Sequence, residues 1–435
     1  MFARLVPIAL AALLLTAGCE KTDHATIDKW MGTKKGPAKL KHALVDDKLD
    51  PDLSAHAAAN MIKKGRDNEV KTELDNMSAP RKQAIVAKLA PRLWEMARIE
   101  GEMMMPAPQQ VQAKDALVAI RKYADTPGRA TIDGYLIDWY TVPSYEGRAK
   151  AGAVPGEVVM RTVGPAAGKK LMHVTDGIIA APGQEKAKKR IGDGLLLGMA
   201  ATGDPDSVKY ILDIAKMDRG DETLAKRALN ALYTAYVEPE GLFDLQEPGA
   251  LVPNLDQLVS IAKDDQVDPA AANAAVALIR VVGPPQCLPP LVSMIAHPHA
   301  DPRFRYFGPD AALKCGGVKA IKQVVQAMPD QPYERQKVHD TVVLDISKMN
   351  PREQVLAELR DLLNDKNRMS RWVAIETLAE MKSKEDAPRI AKVSGNEKLL
   401  GFWGDQSGTD PAARKADPTL GQRAKELSEG LQKAP

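Results

Sequence analysis

Aromatic side chains are scarce in this 435-residue chain, where phenylalanine, tryptophan and tyrosine together make up 4%. Its core therefore has to be assembled from Ala, Leu, Val, Ile and Met. That suits helices that approach one another closely and leaves little aromatic surface to line a ligand pocket. Charge of one sign is also lacking. The chain carries 60 basic and 57 acidic residues, a net charge of +3 with both signs mixed along its length, which is not the excess of a nucleic-acid binder or a polybasic membrane binder. The densest basic run, Lys186 to Arg190, reads as a solvated helix face rather than a phosphate patch. Strand-like alternation of apolar and polar residues is nearly absent, which excludes a β or doubly wound architecture.

The usual marks of catalysis are missing as well. No Gly-x-Gly-x-x-Gly occurs and no Gly-Lys-Ser/Thr follows a strand, so nothing is set up to cradle phosphates. His24, His42, His56, His173 and His339 show no HExxH or other paired spacing, and Ser144, Ser207, Ser260 and Ser293 lack a Gly-x-Ser-x-Gly setting. Asp264-Asp265 and Glu385-Asp386 fall at turns, where charge is expected on solvation grounds alone. Met103-Met104-Met105 offers soft thioether sulfurs of the kind that bind copper(I), but consecutive side chains on a helix diverge, and gap filling is the plainer reading. No catalytic residue, no cofactor and no metal site is assigned on these grounds.

What the chain does have is repeated punctuation. Asp268-Pro269 opens an Ala-rich stretch that closes at Gly283: an N-cap Asp, Pro at the first helical position and a Gly C-cap. Asp50-Pro51 stands before Gly65 and Asp301-Pro302 before Gly316, with 14 residues from Pro to Gly in all three. Five and nine positions after the turn marker come apolar pairs on one helix face: Val70 and Leu74, Val208 and Leu212, Leu288 and Val292, Ile321 and Val325. Lys382 takes the place of the glycine in a further copy, followed by Ala387 and Ala391. Marker separations of 33, 66 and 80 residues correspond to periods of 33 to 40, the range of helical-hairpin solenoids. A single hairpin cannot bury its apolar stripe alone, so neighbours stack and the core runs along the array.

These features resemble HEAT repeats, in particular the short type of phycobilin-lyase-like HEAT proteins, over 37–77, 186–217 and 250–393. The short-type Arg, eleven positions before the marker, is matched by Arg305 and Arg371, whereas Ser54 and Ala272 stand there in other copies. The resemblance implies an all-α solenoid of stacked antiparallel hairpins that binds other proteins; a lyase or cofactor-handling activity is the alternative it also carries. Hairpins are expected over 37–124 and 186–398, and a loop plus capping helix over 399–435. The 125–185 region is the least regular, with Tyr135, Trp139, Tyr140 and Tyr145 in one window and seven glycines after them. One reading is a loop-rich insertion that presents those aromatics for recognition, with peptidoglycan or another polysaccharide bound by an envelope-structural protein as the alternative it supports. The plainer one is a degenerate hairpin with its aromatics in the core.

Residues 1–19 carry the most specific motif. Arg4 is the only charge, Leu5 to Leu15 is apolar but too short to span a membrane as a helix, and Leu15-Thr16-Ala17-Gly18-Cys19 follows. This resembles a bacterial lipobox. The resemblance implies a signal peptide over 1–18, a diacylglyceryl group on Cys19, an anchor and tether over 19–36 and, with Glu20 rather than Asp after the cysteine, an outer-membrane address facing the periplasm. The partners expected are the membrane, through the lipid, and envelope proteins of unknown identity. In an oxidising compartment the other two cysteines, Cys287 and Cys315, either pair or remain as two buried thiols, since both lie at the same end of one expected hairpin. Geometry argues against a zinc site joining them to His297 and His299, because the intervening helix separates the His pair from Cys287 by more than about 12 Å where ligands lie ~2 Å from the metal, and a plain hairpin loop is the simpler reading.

Overall fold

The structure, a computed structural model, describes residues 22–99, 105–141, 144–181, 191–217, 222–238, 244–296, 306–329, 333–396, 401–402 and 418–433. The lipobox with Cys19, Met103 and Met104, the Lys186–Arg190 run, His297, His299 and Arg305 lie outside them. The chain is all-α. Among the described residues the only strand pairing joins Tyr333–Glu334 to Gly401–Phe402 in parallel. No described helix is long and apolar enough to cross a membrane. Two compact units divide the chain, Met1–Val174 and Thr175–Pro435.

The first unit begins with α1 (His24–Trp30), α2 (Gly36–Val45), α3 (Pro51–Lys63), α4 (Asp67–Asn76), α5 (Ala79–Ala97) and α6 (Pro108–Ile120). Helix α3 starts where the Asp-Pro signal places it: the Asp50 carboxylate accepts from Asp52 N at 2.8 Å and Pro51 needs no hydrogen-bond partner for its nitrogen. Its alanines 55, 57, 58 and 59 are buried together with Met61 and Ile62, so that α2 and α5 close in on both sides. Helix α5 buries Ile85, Val86, Leu89, Ala90, Leu93 and Ala97, one face of a 19-residue helix.

The 125–185 region is more regular than its glycines imply. It forms α7 (Thr126–Thr141), α8 (Gly156–Val163) and α9 (Pro165–Ala180). Two of the glycines make its turns: Gly152 and Gly164 have φ of +91° and +79°, conformations that cost other residues energy. Gly134, Gly168 and Gly177 sit inside helices, where each costs about 1 kcal/mol relative to alanine and is carried by tertiary packing.

The second unit continues with α10 (Asp193–Ala200), α11 (Pro205–Met217), α12 (Glu222–Tyr236), α13 (Leu255–Ala262), α14 (Pro269–Val281), α15 (Leu288–Ile295), α16 (Gly308–Gly316) and α17 (Ile321–Ala327). Helix α18 is Arg335–Val338 and Leu344–Ser347 joined through a π-helical stretch, His339–Val343. Then come α19 (Arg352–Leu362), α20 (Arg368–Glu380), α21 (Ala387–Ala391) and α22 (Leu420–Lys433). Each helix packs chiefly on the next one or two in sequence: α11 on α12, α12 on α14, α13 on α14, α15 on α16, α19 on α20. Helix α22 covers the end of this unit, docked on α20 and α21. Its Arg423 donates to Glu376 at 2.7 and 2.9 Å, a buried bidentate pair, and Ser428 Oγ donates to Ala387 O at 2.9 Å.

The turn markers of the repeat are left-handed residues. Gly65, Gly203 and Gly283 have φ of +75°, +65° and +77°, and Lys382 stands at φ +55° with no glycine to relieve it. In the remaining copy the left-handed residue is Gly317 at +60°, one position after the expected Gly316. Val70, Leu74, Val208, Leu212, Ile321 and Val325 are buried as the repeat requires. Leu288 and Val292 are only half-buried, and Leu291, Met294 and Ile295 take the core instead. Helix α15 begins five residues after Gly283, whereas α4 begins two after Gly65, so the helical phase relative to the marker differs. The same slippage exposes Ala391 and buries Ile390.

Candidate functional site

The aromatic window belongs to the core of the first unit rather than to its surface. Trp139, Tyr140 and Tyr145 are buried, and Tyr135 is half-buried, stacked on Trp94 with ring centres 5.0 Å apart and planes 3° apart. Trp139 donates its indole N–H to Ala97 O at 3.0 Å, which ties α7 to the end of α5. Beneath the rings lies Lys114 of α6, fully buried. Its ammonium donates to Ala151 O at 2.9 Å and Val154 O at 2.8 Å, contacts Asp115, and stands 5.3 and 5.5 Å from the ring centres of Trp139 and Tyr140. Burial pushes that ammonium below its ordinary range against the pull of Asp115, and burial pushes the Tyr140 and Tyr145 phenols up. Two donors of Lys114 hold the 144–155 loop and the third meets Asp115, so the ammonium keeps none for a ligand. The reading of these aromatics as an exposed recognition set is corrected: large rings in a chain with so few of them gain most by burial.

Cys287 and Cys315 are joined as a disulfide, with Cα atoms 6.3 Å apart. One stands at the start of α15 and the other near the end of α16, and both are buried. Their sulfurs are thereby committed to each other rather than to a metal.

The convergence of titratable groups that the sequence did not reveal lies at the N-terminal end of the first unit. His24 and Asp28 share a face of α1 one turn apart; Asp52, His56 and Asn60 form a stripe along α3; Arg92 reaches in from α5. Asp23 caps α1 by accepting from Thr26 N at 2.8 Å, and this starts the helix at His24. The two imidazoles meet with Nδ1 atoms 3.0 Å apart and ring centres 4.9 Å apart. His56 Nε2 lies 2.6 Å from Asp28 Oδ1, and His24 Nε2 lies 3.1 Å from Asp52 Oδ2. Asn60 donates to Asp28 at 2.9 Å and Arg92 to Asp52 at 2.9 Å, while another nitrogen of Arg92 stands 3.2 Å from His56 Nδ1.

Partial burial works against both carboxylates. Even so, the bonds from Asn60 and His56 hold Asp28 below the usual range, and the bond and charge of Arg92 do the same for Asp52. The histidines are 32 residues apart in sequence, and no periodicity within one helix could pair them. The sequence carries only the four-residue spacing within each helix, His-x-x-x-Asp on one and Asp-x-x-x-His-x-x-x-Asn on the next but one, and that spacing does not say that the two stripes face each other.

No family model matches the chain, and no curated protein does. Among solved structures it is similar to the crystal structure of an engineered protein at 13% identity, over 98% of this chain and 99% of that one, with a TM-score of 0.27. That likeness carries no argument about fold or function.

Proposed function

We propose that this protein is a lipid-anchored helical scaffold of the HEAT-repeat type, which binds other proteins of the bacterial envelope from the periplasmic face of the outer membrane. The observation that carries the reading is the repeated hairpin with left-handed turns at Gly65, Gly203, Gly283 and Lys382. Successive helices spend one stripe on the core and leave the other to solvent, so side chains on neighbouring hairpins form an extended surface whose specificity can vary without disturbing the fold. The Leu15-Thr16-Ala17-Gly18-Cys19 motif supports the anchor. One diacylated and amino-acylated cysteine supplies more than a single acyl chain, enough for stable attachment. A disulfide between Cys287 and Cys315 fits an oxidising compartment. A lipid at Cys19 also raises the effective concentration of any membrane-associated partner. The glycan-binding alternative loses most of its footing, because three of the four aromatics on which it rested, Trp139, Tyr140 and Tyr145, are buried.

In-cell crosslinking followed by affinity purification and mass spectrometry, with wild type beside Cys19→Ala, tests this reading. A small set of envelope proteins recovered with the anchored form and lost with the variant is the expected result. Recovery of no protein from a folded, membrane-bound wild type would contradict it.

A further inference from the structure

We propose that the facing histidines His24 and His56 form a binding site for a late first-row divalent cation, Cu(II) or Ni(II) in preference to Zn(II). This inference is independent of the scaffold reading. It starts from the geometry of the two rings. With His56 Nε2 on the Asp28 carboxylate at 2.6 Å and His24 Nε2 on the Asp52 carboxylate at 3.1 Å, each ring directs its outer N–H at an oxygen and turns Nδ1 inward. Two inward nitrogens 3.0 Å apart repel unless something positive lies between them. In the metal-free protein the Arg92 guanidinium, 3.2 Å from His56 Nδ1, stands beside this pair. A metal ion satisfies both nitrogens at once.

The spacing suits neighbouring positions in a tetragonal or octahedral shell. An ion ~2.05 Å from each of two nitrogens separated by this distance sees them at about 94°, the angle of neighbouring ligands in a tetragonal or octahedral site. A tetrahedral zinc would need the nitrogens about 3.3 Å apart, so the rings would have to separate. The carboxylates behind the rings are the arrangement by which metal-binding imidazoles are oriented and held in the right tautomer. They are themselves held: Asp28 by Asn60 and Asp52 by Arg92, each at 2.9 Å. Among the described residues no three His, Cys, Asp or Glu side chains converge as direct ligands. The protein therefore contributes two nitrogens, and water or a partner's group completes the shell through the open side, where the His24 side chain is 48% exposed. Arg92 is the cost of the site, since its charge stands where the cation would enter. The ion would fasten α1 to α3, and α1 begins five residues after Cys19.

The test is titration of tag-free, metal-free protein with Cu(II) against a chromophoric chelator, with electron paramagnetic resonance of the complex. Wild type is expected to take up one Cu(II) at a site with two nitrogen donors. Asp28→Asn should weaken binding by about 10-fold and His24→Ala by more than the ~100-fold upper range of an outer-shell loss. Because His24 is half-exposed, His24→Ala decides the matter even if His56→Ala fails to fold; circular dichroism checks that it is folded. An unchanged affinity and spectrum in His24→Ala would place the copper elsewhere, and failure of wild type to compete with the chelator would leave no site; either result overturns the proposal.

Discussion

Lys382 shows how far a single residue can be read from repetition. Nothing about a lysine marks a left-handed turn, yet its distance from the other markers assigns it one, and its φ of +55° is the only positive value at a non-glycine among the described residues. A side chain there costs roughly 1 kcal/mol. Lys382 is exposed, so its replacement by Gly meets no packing constraint. Lys382→Gly should raise the stability of the second unit by about 1 kcal/mol in denaturant unfolding.

Four residues further on, Asp386 makes the opposite case, since its position in a turn explained its charge and concealed its role. It is fully buried, accepts from Ser383 at 2.8 Å, from Arg360 at 2.8 and 2.9 Å and from Arg389, and these bonds outweigh burial to hold its carboxyl at about 2. The folded pKa lies below the ordinary value, so this stabilisation is complete above about pH 4 and is lost as the pH falls through about 2. Between pH 5 and pH 2 wild type should lose about 2 kcal/mol more than Asp386→Asn. Equal losses, followed by tryptophan fluorescence, would contradict the assignment.

At the scale of elements, helix starts were readable wherever the cap is local. Asp268 accepts from Ala270 N at 2.8 Å just where Asp-Pro signals it. Elements escaped where the deciding contact is distant. The 125–185 region reads as irregular because its glycines are dense, while its helices are held by Trp139 on Ala97 O and by Lys114 on the 144–155 loop, partners 42, 37 and 40 residues away. Ser54 shows the same compensation in the repeat. Where other copies have arginine, its hydroxyl donates to Ala43 O at 3.0 Å and accepts from Arg81 of α5 at 2.8 Å. The guanidinium is supplied by the next hairpin.

The helices α15 and α16 raise a further expectation. Their disulfide spans a sequence separation of 28, and closing that loop in the unfolded chain corresponds to about 3.5 kcal/mol. Cys287→Ser should lower the stability of the second unit by an amount of that order. Thiol labelling of unreduced, unfolded wild type should find neither Cys287 nor Cys315 reactive.

For the molecule as a whole, helical class was readable from the absence of alternation and the presence of repeat punctuation. The His24–His56 cluster was not, because it is made by three helices whose mutual placement no local pattern encodes. The division into units at 174 and 175 falls within α9 and has no signal in composition. The proposed address rests on the motif in residues 1–19 alone, and the proposed concentrating effect of a membrane anchor rests on it as well. The most direct measurement is metabolic labelling with a fatty-acid analogue and membrane fractionation of wild type beside Cys19→Ala. The account predicts a labelled, membrane-associated wild type and an unlabelled variant released into the soluble periplasmic fraction. Label that persists in Cys19→Ala, or an unlabelled wild type, would contradict it.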